Sequence, residues 1–186
     1  MKLREALLSD ITGVLALQEK YLITNIHPTE IAGGFVTTPF TESQLSEVIN
    51  LHGLFIAENN NTIIGYAFAA SWNYFSQWKI FPYMTSRFPQ IKFENKLLDV
   101  NKSFQYGPIC IEKEYRGTGL LQQLFEVMRK SMQTIYPIGV TFINKINTRS
   151  YDAHTRKLKM EVIDEFNFNG NGYYGLAFRT DQSVLV

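Results

Sequence analysis

The chain has 186 residues, of which 45% are hydrophobic and 19% charged, and its net charge at pH 7 is +1. That is enough for one domain with a sizeable core. No long basic run is present to track a nucleic-acid backbone, and a single cysteine, Cys110, rules out an intramolecular disulfide or a cysteine-rich zinc site. No metal site is expected. No stretch approaches the ~18 apolar residues of a membrane span, and the charged start "MKLREALLSD" lacks the apolar centre of a signal peptide, so the chain reads as cytoplasmic.

No repeat, low-complexity tract or flexible linker divides the chain, so residues 1–186 read as a single domain. "KLREA" reads as a first strand. Ser9 or Asp10 is placed to cap a helix that begins at Ile11, with Val14, Leu15, Leu17 and Leu22 at helical spacing. Pro28, Gly33-Gly34 and Pro39 mark a loop. Thr41 and Gln44 then have capping-box spacing ahead of Leu45, Val48 and Ile49, which share a helix face. "GLFIAEN" and "TIIGYAFAASW" form a hairpin around "NNNT".

Residues 72 to 104 are aromatic-rich, broken by Pro82 and Pro89, and give no clear element. "FQYGPICIE" reads as a strand in which Gly107-Pro108 predicts a bulge or a splayed edge. "KEYRGTG" turns into a helix whose Leu121, Leu124, Phe125, Met128 and Met132 make one apolar stripe. "IGVTFINKI" reads as a strand, "TRSYDAHTRKLKM" as helical, and "EVIDEFNF" with "YYGLAFR" as a hairpin around "NGNG". The fold class is therefore α/β, a mixed sheet flanked by helices.

The Gly117-Thr118-Gly119 turn at a helix mouth suits an anion, because a helix start has unpaired N–H groups and the positive end of the dipole. It is not a P-loop, since no lysine follows Gly119, and it lacks the third glycine of a dinucleotide fingerprint. A plain helix entry is the alternative reading.

The order of strand "YGPICIE", charged turn and helix resembles the GNAT acyltransferase superfamily. Its signature (Arg or Gln, two residues, Gly, one residue, Gly or Ala) is filled from Arg116 to Leu121, with Leu121 departing from the small residue. "LREALLSDITGVLAL", "LFIAENNNTIIGYAFA" and "INKINTRSYDAHTRKLKMEVIDEF" resemble other GNAT segments, with Lys159-Met160 where the family closes on Gly-Phe.

The resemblance implies the GNAT fold, a mostly antiparallel central sheet with two splayed parallel strands. It also implies N-acetyltransfer from acetyl-CoA to an amine by direct attack. Coenzyme A pyrophosphate would meet the N–H groups of Gly117, Thr118, Gly119, Leu120 and Leu121, with Arg116 nearby. The pantetheine arm would lie along Ile109, Cys110 and Ile111, opposite a strand ending at Asn147, with a backbone N–H from about Cys110 opposing the oxyanion.

Where some relatives carry a glutamate base this chain has Gln105, which cannot take a proton. For the proton donor to the leaving thiolate, His154 and Tyr151 are both candidates. Near its ordinary pKa, ~6.5, His154 would be partly protonated at neutrality. The acid-poor cluster that includes Trp78, Phe81 and Tyr83 is either core or the wall of a pocket for a small, partly apolar amine. A silent coenzyme A–binding module is the alternative function. No nucleic acid or membrane partner is expected.

Overall fold

The computed structural model describes residues 1–185. β1 (Lys2–Glu5) leads through a 3₁₀ turn (Leu8–Asp10) into α1 (Ile11–Tyr21). The helix begins where its periodicity places it, but neither Ser9 nor Asp10 caps it by side chain. Instead the Asp10 carboxylate turns back to accept from the Leu7 N–H (2.7 Å) and from both Arg4 amino groups (2.7 and 3.0 Å). Arg4 also reaches Glu58 at 2.8 Å, so one guanidinium ties β1, the helix entry and the next strand together. Hydrogen bonding to Arg4 holds the Asp10 carboxyl below the usual carboxylate range.

α2 (Glu42–Asn50) starts on the expected capping box: Gln44 N–H donates to Thr41 Oγ1 (3.3 Å) and Thr41 N–H to Gln44 Oε1 (2.9 Å). β2 (Leu54–Asn59) and β3 (Thr62–Ala70) form the hairpin, with Asn60 and Asn61 both at positive φ as the tightest turns require. The unassigned aromatic segment becomes α3 (Trp72–Phe75), α4 (Ile80–Arg87) and a small hairpin, β4 (Lys92–Phe93) with β5 (Lys96–Leu97). Then follow β6 (Ser103–Ile111), α5 (Leu120–Met132), β7 (Ile138–Asn144), α6 (Thr148–Asp152), β8 (Glu161–Phe168) and β9 (Asn171–Arg179). α6 continues into a wider π turn over Ala153–Lys157.

Seven strands make one sheet in the order β1-β2-β3-β6-β7-β9-β8. All its pairs are antiparallel except β6 with β7. Those two are parallel only over Ser103–Ile138, Phe104–Gly139 and Gln105–Val140; beyond Gln105 they part. The Gly107-Pro108 bulge is present as expected. Against β3 the register runs from Ala67–Ile109 to Ala69–Tyr106, one extra residue on β6, with Gly107 at φ 99°. Phe178 lies over Gly139, where an added Cβ would sit 2.1 Å from the ring, so only glycine fits beside it.

Strand alternation sends two sets of side chains to opposite faces. On one face Ile56, Tyr66, Phe68 and Val140 pack with Val14 and Leu17 of α1, Leu45 and Val48 of α2, and Phe75 and Phe81. On the other, Phe55, Tyr106, Leu176 and Phe178 pack under Leu124, Phe125 and Met128 of α5. Thus most of the aromatic segment is core: Trp72, Tyr74, Phe75, Phe81, Phe88 and Phe93 are all buried. Arg87 pins it to β8 through a two-pronged pair with Asp164 (2.8 and 2.7 Å). Lys159, standing where the GNAT pattern has glycine, adopts φ 54°, the left-handed conformation that glycine takes without a Cβ penalty.

α5 is tethered by a buried ion pair. Arg129 donates to both Glu126 oxygens (2.9 and 2.8 Å) and to the Thr180 carbonyl, and Glu126 accepts from the Val184 N–H at 2.8 Å. Burial works against the Glu126 carboxylate, but Arg129 and the Val184 N–H outweigh it and lower its pKa. Replacing Glu126 with Ala leaves Arg129 buried and uncompensated. The change is expected to destabilise the fold by about 3–5 kcal/mol in denaturant unfolding; a loss below about 1 kcal/mol would mean that water reaches the pair.

Candidate active site

Because β6 and β7 separate after Gln105, the sheet opens into a V, and two connected hollows occupy it. The larger, about 410 Å3, runs from the gap to the start of α5. The smaller, about 80 Å3, sits at the vertex. Phe35, Val36, Ile109, Asn147, Ser150 and His154 border both.

The larger hollow collects most of the residues singled out from sequence: Ile109, Cys110, Ile111, Arg116, Gly117, Gly119, Leu121, Asn147 and His154. Gly117 and Gly119 have φ of 85° and 90°, and Gly119 is the N-cap of α5. An added Cβ at Gly117 would meet nothing within 4 Å, so backbone conformation, not crowding, calls for glycine. The first helical bond of the turn is Gln123 N–H to Gly119 O (3.1 Å). Among the described residues, the N–H groups from Gly117 through Gln122 have no protein acceptor. Six successive donors at the positive end of a 13-residue helix suit a diphosphate. The Leu120 side chain is buried and Thr118 is exposed, its hydroxyl donating to the Tyr115 carbonyl, and neither residue lines the hollow.

Arg116 is a strut. Its Nε donates to the Ile111 carbonyl (2.7 Å), a terminal nitrogen donates to the Gly33 carbonyl (2.6 Å), and its guanidinium stacks over Tyr21 at 4.5 Å. It thereby pins the Gly33-Gly34 loop over the end of β6. The basic residues that rim the hollow more freely are Arg149, Arg156 and Lys157 on α6 and its π turn. Sequence reading missed them, and it also missed the loop residues Gly33 to Val36. Clustered cations in a helical stretch were visible, but not the face they share.

β7 stops at Asn144, and Asn147 lies beyond it as the N-cap of α6. Its Oδ1 accepts from Ser150 N–H (3.2 Å) and its Nδ2 donates to the Phe35 carbonyl (3.2 Å), joining the loop to α6. The oxyanion donor expected near Cys110 also shifts. Glu112 N–H bonds to the Ile64 carbonyl (2.9 Å), and antiparallel pairs alternate, so Tyr66–Cys110 is the next hydrogen-bonded pair. The Cys110 N–H therefore faces β3, while those of Ile109 and Ile111 face the gap.

His154 is buried, and its Nδ1 lies 2.7 Å from the Ser150 carbonyl. Nδ1 therefore carries the proton and Nε2 keeps a lone pair. Burial pulls the pKa down to about 4 against the opposing Ser150 carbonyl, so the ring is neutral at pH 7. This corrects the expectation of a partly protonated acid: the neutral ring is an acceptor with one donor already committed. Tyr151 borders neither hollow, and its ring packs on Tyr174 at 4.6 Å. Of the aromatic segment only Phe81 lines the vertex. Trp78 and Tyr83 pack elsewhere, so substitutions there are not expected to change acceptor preference.

Gln105 is the last residue of β6 paired to β7 and borders the vertex hollow. Only 2% exposed, it donates from Nε2 to the Tyr106 carbonyl (2.7 Å), and its Oε1 has no partner among the described residues.

Cys110 is buried opposite Tyr66, and burial pushes its thiol up to about 12 against the pull of Arg116. It should resist a disulfide reagent in the native protein and react fully once unfolded; rapid native labelling would contradict the burial. His154 has its own signature. Its depressed pKa means that the unfolded chain binds a proton first, so its contribution is complete above pH 6.5 and is lost toward pH 4. Across that range the wild type should lose up to about 3 kcal/mol more than His154→Gln in urea unfolding; equal losses would mean that the ring is solvated.

No protein-family model matches the sequence, and no curated protein matches it. Solved structures do. A GNAT-family acetyltransferase from Streptococcus agalactiae superposes with TM-score 0.66 at 14% identity, covering 97% of this chain and 96% of that one. yncA from Salmonella typhimurium, solved with its cofactor acetyl-CoA, gives 0.64 at 12% identity over 98% and 95%. A GNAT phosphinothricin acetyltransferase from Sinorhizobium meliloti, in complex with acetyl-CoA, gives 0.62 at 15% identity over 96% and 87%. At these identities the shared property is the fold: this chain has the GNAT fold.

Proposed function

We propose that the protein is an acetyl-CoA–dependent N-acetyltransferase acting on an amine. One observation carries the reading: among the described residues, six consecutive backbone N–H groups at the start of α5 have no protein acceptor, and four of their residues, Gly117, Gly119, Leu121 and Gln122, line a hollow that runs into the gap between β6 and β7. Solved structures of the same fold with acetyl-CoA bound support it.

Acetyl-CoA supplies an activated acetyl group, a thioester whose carbon accepts the amine nitrogen as the C–S bond breaks. The chain's own residues do the rest. Gly117 to Gln122 hold the diphosphate by N–H donation and helix dipole. Arg149, Arg156 and Lys157 add positive charge at the exposed rim. Ile109 and the N–H of Ile111 present a free strand edge to the amides of the pantetheine arm, and one such N–H opposes negative charge growing on the carbonyl oxygen. His154 holds Nδ1–H to Ser150 and leaves Nε2 as an acceptor beside the gap.

Calorimetric titration with acetyl-CoA tests this against Gly119→Glu, whose carboxylate places bulk and negative charge at the helix mouth. Wild-type binding that weakens at least about a hundredfold in the folded variant is expected; no wild-type binding would reduce the glycines to a helix entry. A second reading, a silent coenzyme A–binding module, is favoured by Gln105 standing where a carboxylate base is absent. Thioester consumption driven by an amine decides between the two.

A further inference from the structure

The vertex hollow is lined by Phe35, Phe81, Phe142, Thr141, Tyr173 and Gln105 among others, and none of its lining residues is an Asp, Glu, Lys or Arg. Its two titratable groups are neutral at pH 7: His154, whose Nδ1 proton is committed to Ser150, and the phenol of Tyr173, whose pKa burial raises. The larger hollow has one acid on its wall, Asp152, which is exposed and 3.5 Å from Arg156. Its other charged neighbours, Arg116, Arg149, Arg156 and Lys157, are cations. An incoming ammonium would thus be stripped of water with no carboxylate to balance it, and His154, its pKa pulled down to about 4 by burial, is a poor base for its proton. One residue does call for a partner: Gln105 borders this hollow, and its Oε1 is buried with no partner among the described residues.

We propose that the acceptor is a slender, weakly basic amine, uncharged at neutral pH, that donates an N–H to Gln105 Oε1. This rests on the acetyltransferase reading above. The hollow's size sets the slenderness. About 80 Å3 takes an amino group and a few attached atoms, whereas an engineered cavity of about 150 Å3 is what holds a benzene ring. Hydrazides have this chemistry, alkylamines do not, and amino amides fall between. In the reaction the amine lone pair forms the new C–N bond and the C–S bond breaks. The sulfur leaves with that electron pair, and the proton shed by nitrogen ends on the thiolate, giving the amide and free coenzyme A. No base of the protein is needed, because the lone pair is free from the outset. A lysine-like amine, at pKa ~10.4, would be almost wholly protonated at pH 7, and even an α-amine near ~8 only about a tenth free.

The test compares acetohydrazide, glycinamide and n-butylamine, matched in heavy-atom count, with acetyl-CoA and the full chain over about pH 6 to 9. For acetohydrazide kcat/KM should stay level within about twofold. For n-butylamine it should start lowest and climb about tenfold per pH unit as free amine appears, with glycinamide between. A tenfold-per-unit rise for acetohydrazide would reveal a protein base and overturn the proposal, as would n-butylamine equalling acetohydrazide at pH 7. Gln105→Met keeps the shape of the side chain and removes Oε1. It should raise KM for acetohydrazide about tenfold with kcat little changed, and an unchanged KM would refute the contact. Should the variant fail to fold, the wild-type profiles decide alone. Acetyl-CoA calorimetry on the same preparation separates the failures. Binding with alkylamine preference sinks this inference only; binding with no amine acetylated sinks it and favours the silent coenzyme A–binding module; absence of binding removes the acetyltransferase reading and this inference with it.

Discussion

The parallel contact between β6 and β7 lasts three residue pairs and then ends, and the rest of the molecule is arranged around that parting. A parallel pair that continued would close the sheet and leave no site. Here the Gly107-Pro108 bulge displaces β6 by one residue just beyond Gln105. The β7 strand keeps its other edge fully paired with β9 as far as Asn144–Tyr173, so the gap opens on one side only. The sheet stays cohesive while exposing two unpaired edges, an arrangement that a peptide-like ligand can complete.

What surrounds the gap is held by polar ties more than by packing. Arg116 clamps the Gly33-Gly34 loop to the end of β6, and Asn147 fastens the same loop to α6. His154 is turned by Ser150 one helical turn earlier. The ties from Arg116 to Gly33 and from Asn147 to Phe35 link segments far apart in sequence, so the walls of the hollow are set by a few hydrogen bonds between loops. By contrast, α5 presents its free N–H groups from a rigid seat: Leu124, Phe125 and Met128 are wholly buried, and the Glu126–Arg129 pair locks its far end to the C-terminal segment. An anion site on a helix is only as well placed as the helix behind it.

The chemistry left to the protein is correspondingly modest. Its buried nucleophile, Cys110, is held as a thiol, its buried histidine is neutral, and the vertex residue is an amide. On the proposed reading, such a site would position reactants and polarise a carbonyl while moving few protons. Were the acyl group to arrive activated, as the proposed function has it, placing the reacting atoms in line would account for much of the acceleration.

Much of this was legible in the chain. The capping box at Thr41 and Gln44, the Asn turn, the bulge at Gly107-Pro108 and the glycine entry to α5 are local, because each is decided by neighbours within a few residues. The apolar stripe of α5 and the two hairpins followed from periodicity for the same reason. Residues 72–104 were not legible: short helices with aromatics on several sides take their form from the core they fill. Nor were the roles of Arg116, Asn147, Tyr151 and His154. A sequence names a titratable residue, but only the tertiary structure decides its burial and its partners, and these set its charge. His154 read as a partly protonated acid and is a buried neutral acceptor. Gln105 read as a missing base, and only the fold shows its free oxygen at the point where the two strands separate.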